Sequence, residues 1–417
     1  MADNHSFIKE QIVPNKKNKR KKLFHATVTA AICAVVFGVV SSFVFTLSRP
    51  YFEALTGDKN TSVSFTEETK APATPTPTPT PSATPAPEPV EVEFPELDME
   101  QVKEFYSLLS DAAVAFNRSV VTVSSVMKGV DWFDNPSELK DATSGLMIAK
   151  TDTSLFLLSA YNRISDASSI QITFSNGSTV EAQLSGYDKE TNLAVLSIAL
   201  ADIPSSIRKN LEPVVLGDSY YAKPGTPVLA LGSPNGQVYS MDFGMVSSDS
   251  IDRYITDNKL ELFYTSMLSA ETGEGAIVDL EGKVLGIITH SEDKNTDFCT
   301  AIGISRLKPL IEKLVNNESQ ASLGIIVNDI PSEYKESISI ENGIYISTVN
   351  NNSPALDAGL KSGDVILQVD DYDITGVAMF NNLISSHRPK DSITLSIYRT
   401  SKADDKEMKV TVTLGKR

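Results

Sequence analysis

Few side chains in this sequence can trade protons near neutral pH. Four histidines stand in 417 residues: His5 near the start of the N-terminal tail, His25 inside an apolar stretch, His290 in GIITHSEDK and His387 far downstream. A hydroxyl becomes an effective nucleophile only beside a general base. Acyl-transfer chemistry must therefore draw on one of these imidazoles, or on a lysine whose pKa burial has lowered, and nothing in the sequence selects such a lysine. The two cysteines, Cys33 and Cys299, exclude a disulfide scaffold and a Cys-built zinc site. Cys299, in DFCTAIGI, reads as a small buried apolar residue. Neither a metal nor a cofactor is expected.

The elements that must position any such chemistry are spread over two or three domains, the number that 417 residues allow. A hydrophobic share of 41% and a charged share of 22% are globular values and exclude a disordered, collagenous or multi-span membrane chain. A net charge of -16 argues against a nucleic-acid partner, which requires a basic face. Residues 1–23 carry a net +5, which leaves -21 on the remainder. That acidic surplus serves solubility or disfavours anionic wall polymers.

The run LFHATVTAAICAVVFGVVSSFVFTL, residues 23–47, has no charged residue and is long enough to cross a bilayer. A secretory signal peptide is the rival reading, but its apolar region is shorter, and no A-x-A-like site follows Leu47. The basic tail 1–22 before it places the N-terminus in the cytoplasm by the positive-inside rule, with the bulk of the chain exported. Cys33 and Cys299 are then separated by the membrane and cannot pair. Residues 48–97 form a Thr/Pro-rich linker with eight prolines between Pro72 and Pro89, a semi-rigid polyproline spacer. It is a glycosylated stalk, a wall-spanning rod or a plain disordered linker.

Regular structure resumes near Leu97, where LDMEQVKEFYSLLSDAAVAF spaces apolar residues as an amphipathic helix with Asp98 as cap. From Val120 onward the pattern is β: VVTVSSV, GLMIA, LFLLSA, IQITF, LAVLSI, PVLALG, AIVDL and VLGIIT, with turn signals between them. This predicts a mainly β sandwich or barrel over 98–318, closed by a helix at Leu307 to Leu314. In the last region, 319–417, Gly359 and Gly363 allow turns around a short helix, and Val365, Leu367 and Val369 alternate as a half-buried strand.

The joint order of DATSGLMIA, IQITFSNGSTVEAQLSGYDKETNLAVLSI, VVLGDSYYAKPGTPVLALGSPNG and IVDLEGKVLGIIT resembles the trypsin-like domain of the HtrA (Deg) serine proteases. That resemblance implies a double β-barrel. The family's chemistry rests on a hydroxyl nucleophile, an imidazole base and an orienting carboxylate. Carried over motif by motif, the base slot falls on Asn162, the carboxylate slot on Asn192 and the nucleophile slot on Gly273. An amide takes no proton near neutral pH, and Gly273 has no nucleophile. Thr272 is one residue from that slot but lacks a base. His290 follows the slot, whereas the family's base precedes it. Glu271 and Glu274 replace glycines around the family's oxyanion hole, where carboxylates oppose a developing negative charge.

The stretch ASLGIIVNDI, with NGIYISTVNNNSPALDAGLKSGDVILQVDDYDI and DSITLSIYR, looks like the PDZ domain that follows such proteases. PDZ domains capture a peptide's terminal carboxylate in a loop of backbone N–H groups and add the peptide as a strand. The resemblance puts that loop at Ser322, Leu323, Gly324 and Ile325, with Met379 and Leu383 either lining the side-chain pocket or sitting in the core. His387, past that helix, is expected in solvent. Trp132 and Phe133 make either a subunit contact, as the trimeric relatives imply, or a local loop anchor.

The expectation is a membrane-tethered, extracytoplasmic, non-catalytic protease homologue. It acts as a scaffold or sensor and receives C-terminal or extended peptide segments, and the trimeric relatives imply a homotrimer. The alternatives are a serine-type endopeptidase of envelope protein quality control with a rearranged site, and a spacer with a vestigial groove.

Overall fold

The computed structural model describes residues 64–65, 98–130, 136–289, 297–338, 340–400 and 406–417. The membrane segment 23–47, nearly all of the linker 48–97, Trp132, Phe133 and His290 lie outside the described residues. Among those described, no helix is long and apolar enough to cross a membrane. Phe65, within the segment read as linker, packs against the protein's central core and donates its N–H to the Glu312 carboxylate at 3.1 Å.

Helix α1 (Met99–Asn117) begins at Asp98, whose backbone N–H donates to the Gln101 side chain at 3.3 Å. It buries Leu109, Ala113 and Phe116, spaced four and three, and leaves its other faces in water. Strands β1 (Val120–Val130), β2 (Pro136–Lys150), β3 (Ser154–Ala160), β4 (Ser169–Thr173), β5 (Thr179–Asp188) and β6 (Leu193–Ala199) close a first barrel in the order β1-β2-β3-β6-β5-β4. After a short helix α2 (Ser205–Arg208), strands β7 (Pro227–Ser233), β8 (Ser240–Ile255), β9 (Asn258–Leu268), β10 (Glu274–Val278), β11 (Val284–Thr289) and β12 (Phe298–Gly303) close a second in the order β10-β11-β12-β9-β8-β7.

The period of two along the strands explains their nearly continuous apolar runs. In β3, Leu155 and Leu157 fill the first barrel, while Phe156 and Leu158 face a separate core between the barrels. In β6, Ala194 and Leu196 point into the barrel and Leu193 and Val195 point out to the seam. The second barrel repeats this, with Val228 and Ala230 inside and Leu229 and Leu231 in the seam. Helix α3 (Ile304–Val315) covers the seam with Leu307, Ile311 and Leu314, so the predicted helix runs slightly longer at both ends.

The last unit is a sheet in the order β14-β15-β16-β18-β19, built from β14 (Ile325–Asp329), β15 (Ile344–Val349), β16 (Val365–Val369), β18 (Ser392–Arg399) and β19 (Lys406–Thr413). Strand β17 (Tyr372–Asp373) pairs with β16, and β13 (Ala321–Ser322) pairs with β20 (Gly415–Lys416). Helices α4 (Ser332–Ile338), α5 (Pro354–Asp357) and α6 (Val377–Ser386) complete it. The expected alternation of Val365, Leu367 and Val369 fails. Val365 and Ile366 are both buried and Leu367 is half-buried, because a register shift between Ile366 and Gln368 turns the strand there.

Candidate functional site

The first candidate site is the cleft between the barrels. Strand β3 pairs with β6 through Ala160 and Leu193, so the turns that follow β3 and precede β6 lie side by side. Asn192 sits in the second turn in the left-handed region, at φ 57, where asparagine is better tolerated than most residues. Its side-chain oxygen accepts the Asn162 backbone N–H at 2.8 Å, and its carbonyl accepts that of Tyr161 at 2.9 Å. The base and carboxylate slots are therefore adjacent, joined by a bond to the backbone.

The nucleophile slot lies in a turn in which the Gly273 N–H donates to the Ala270 carbonyl at 2.9 Å. The amide is spent within the turn. A Cβ built on Gly273 overlaps the Pro234 carbonyl oxygen and comes within 3.1 Å of the Ala270 oxygen, so this backbone has no room for a side chain. Thr272 is exposed on the outer side of the turn and abuts Gly236.

A cavity of about 230 Å³ opens beside Asn162 and Asn192, lined also by Lys189, Glu190 and Arg253, while Glu274 occupies the side next to Ser144 and Ser159. Glu274 is 6% exposed, and the gap beside it, lined by Ser144, Ser159, Ala160 and Asn192 among others, holds about 20 Å³, space for one water. The described lining of that gap contains neither lysine nor histidine. Burial pushes the Glu274 carboxyl up to about 7, with the Arg163 charge pulling it partly back and Asp141 adding to the rise. Arg163 itself is paired with Asp141 at 2.7 Å. Glu274 is therefore not the fixed negative charge that the sequence predicts beside the oxyanion turn. Desolvation instead keeps a large share of it neutral near pH 7. Such a pKa suits acid–base chemistry, but a gap of this size admits no substrate.

The second candidate site is the loop before β14. Gly324 has φ 80, and a Cβ there overlaps that of Ser353, so only glycine fits as the turn is built. The loop's donors converge on the carboxylate of Asp257, at the tip of the β8–β9 hairpin. Ser322 Oγ reaches Oδ2 at 2.6 Å, Leu323 N at 2.9 Å and Gly324 N at 2.9 Å, while Ile325 N reaches Oδ1 at 3.1 Å. The Asp257 N–H in turn donates to the Ile325 carbonyl at 2.8 Å. All of the loop residues predicted from sequence thus gather at one carboxylate, and that carboxylate belongs to the chain itself.

On the opposite wall, Ala378, Asn381 and Ser385 of α6 line a cavity of about 450 Å³ shared with Asn258 and Lys259 of the hairpin. Leu383 packs against the core of the last unit, and half-buried Met379 receives the Thr375 hydroxyl at its sulfur at 3.6 Å. His387 is half-buried rather than solvated. Its Nδ1 lies 2.7 Å from the Leu383 carbonyl, because it caps α6 and folds back over the last turn. Cys299 is buried, and burial raises its thiol to about 11. Sequence reasoning missed Asp257 altogether. An aspartate in a tight turn is ordinary, and no local pattern marks it as a ligand.

Residues 143–287 match the family model of the trypsin-like peptidase domain, and residues 315–414 that of the PDZ domain. With two closed barrels and the final sheet, these define a trypsin-like double-barrel protein carrying a PDZ domain. The chain is 28% identical over 286 residues to the serine protease Do-like HtrA of Lactobacillus helveticus, covering 64% of this chain and 68% of that protein. It is 30% identical over 273 residues to a probable periplasmic serine endoprotease DegP-like of Marinomonas sp., covering 63% of this chain and 55% of that one. It also superimposes on the HtrA-type protease AlgW with decapeptide, with a TM-score of 0.55 at 22% identity, over 74% of this chain and 98% of that chain. It is an HtrA-like serine protease homologue with a PDZ domain.

Proposed function

We propose that this chain is a catalytically inactive HtrA homologue that works as a scaffold or sensor, with its PDZ domain receiving C-terminal or extended peptide segments of other proteins. The observation that carries the reading is the set of groups at the three reaction positions: two amides, Asn162 and Asn192, and the bare Cα of Gly273. The inward turn of the Gly273 N–H and the entry of Glu274 into the cleft support it. Without a base, an orienting carboxylate and a nucleophile, turnover falls by roughly 10⁴ to 10⁶. The AlgW structure holds a decapeptide, and the loop of three N–H groups at Leu323 to Ile325 is the chemistry a peptide terminus needs.

The same proposal includes tethering by residues 23–47, with the barrels and the PDZ domain outside the cytoplasm. It also includes self-association as a homotrimer. Exposed Phe105 and Tyr106 of α1 lie beside exposed Phe243 and Met245 of β8, with the Phe105 and Phe243 rings 5.7 Å apart, an apolar surface suited to another copy.

The test is to expose the purified full chain to a fluorophosphonate probe and to unfolded casein. No adduct and no cleavage are expected. Cleavage abolished by Thr272→Ala would instead establish the endopeptidase reading.

A further inference from the structure

A terminal residue bound to a PDZ loop supplies two things: a carboxylate for the loop amides and an N–H for the carbonyl of the first strand residue. Asp257 supplies both. Its side-chain carboxylate accepts from Ser322, Leu323, Gly324 and Ile325, and its backbone N–H donates to the Ile325 carbonyl at 2.8 Å. The spacing differs from that of a true terminus by one carbon, the Cβ of aspartate. The left-handed turn at Asp257, φ 55, is what aims the side chain and the N–H at the loop together.

The rest of the hairpin follows the line a peptide would take, between β14 and α6. Thr256 Oγ1 accepts from Asn350 Nδ2 at 3.0 Å. Tyr254 donates its hydroxyl to Asp329 of β14 at 3.2 Å, and the Lys259 ammonium lies 3.9 Å from the same carboxylate. The Asn258 side chain meets that of Asn381 on α6 at 3.2 Å. Both walls of the groove are thus engaged by one hairpin. Asp257 is 5% exposed, so the carboxylate is removed from water, and its contacts are charge-assisted hydrogen bonds from the loop.

We propose that Asp257 is an internal ligand of the PDZ carboxylate loop, and that a protein or peptide chain with a free terminal carboxylate binds by displacing the β8–β9 hairpin. The proposal rests on the reading of the PDZ domain as a peptide receiver and adds what that receiver must first give up. Displacement also reaches the first barrel. Thr256 donates its hydroxyl to Glu190 at 3.1 Å, and Glu190 stands two residues before Asn192 in the turn that walls the cleft. An arriving terminus therefore breaks a polar link between the groove and the degenerate cleft. If the hairpin is released in about 1 to 10% of molecules, the apparent affinity of any peptide is weakened by about 10- to 100-fold.

The experiment uses the full chain and its Asp257→Asn variant. Asparagine tolerates the same turn but presents an NH₂ group to donors. Hydrogen exchange at the amides of Leu323 to Ile325 is measured without peptide. The probe for binding is a pool of random ten-residue peptides with free carboxylates, against the same pool amidated. The proposal expects faster exchange by tenfold or more in the variant, 10- to 100-fold tighter binding of the free-carboxylate pool to it, and no gain with the amidated pool. Tyr254→Phe, which loosens the hairpin without touching the loop, should move both readouts in the same direction by less. Equal exchange in variant and parent, or equal affinity for the free-carboxylate pool, would overturn the internal ligand while leaving peptide reception intact. Faster exchange with no binding of any peptide would instead uphold the internal ligand and sink peptide reception.

Discussion

The carboxylate of Asp188, the last residue of β5, holds the guanidinium of Arg417 in a forked contact, Nε to Oδ1 at 2.9 Å and Nη2 to Oδ2 at 3.3 Å. The Asp188 side chain is 1% exposed and takes a further bond from the Thr191 hydroxyl at 2.8 Å. Arg417 comes from the PDZ unit, so the pair clasps that unit to the first barrel. Removing one partner of a buried pair leaves the other charge uncompensated. Arg417→Ala should cost about 3 kcal/mol of stability, whereas Arg417→Lys, which loses the fork but keeps the charge, should cost less. Denaturant unfolding of the three proteins checks this ordering, and equal midpoints would refute it.

Glu274 makes stability depend on pH. Below its ordinary value of 4.5 the carboxyl is protonated in both folded and unfolded chains and contributes nothing. Between 4.5 and about 7 the unfolded chain ionises while the folded one keeps its proton, so stability falls as pH rises, and above about 7 the loss is complete. At about 1.4 kcal/mol per pH unit, the full loss is roughly 3 kcal/mol. Glu274→Gln should match the parent near pH 4 and exceed it by up to that amount at pH 8. Unfolding midpoints that stay parallel across this range would contradict the burial argument.

Gly273→Ser places a side chain against the Pro234 carbonyl oxygen. The variant should lose about 1 to 3 kcal/mol through overpacking and gain no reactivity toward a fluorophosphonate. Adding Asn162→His and Asn192→Asp should not rescue labelling, because the clash at position 273 persists. Labelling of the triple variant would show that the backbone at 273 moves easily.

Cys299 should resist alkylation. With its thiol raised to about 11 by burial, its thiolate fraction at pH 8 is about a hundredfold below that of a free cysteine. Mass spectrometry after iodoacetamide treatment should find Cys299 unmodified in the native chain and modified after denaturation. Rapid labelling in the native chain would mean that this barrel opens readily.

Much of the fold is legible in the apolar runs. LFLLSA and LAVLSI read as strands, and α1 and α3 declare themselves through their spacing. The residue types at 162, 192 and 273 and the carboxylate loop at 322–325 follow from motif order. Other features depend on partners distant in the chain. Asp188 and Arg417 are 229 residues apart and Asp257 and Gly324 are 67 apart, so nothing near either aspartate marks its role. The shift at Ile366 and the fold-back of His387 arise from tertiary packing that overrides local pattern. Glu274 was visible as a charge, but its burial was not.

A strand whose alternate side chains feed two different interiors has no idle face. In β3 and β6, a change at odd positions disturbs the barrel and a change at even positions disturbs the seam, or the reverse, so drift in these strands is checked from both sides. Such policing acts on shape and is blind to turnover. The likeness of this chain to the HtrA proteases is therefore a record of how its interiors fit together.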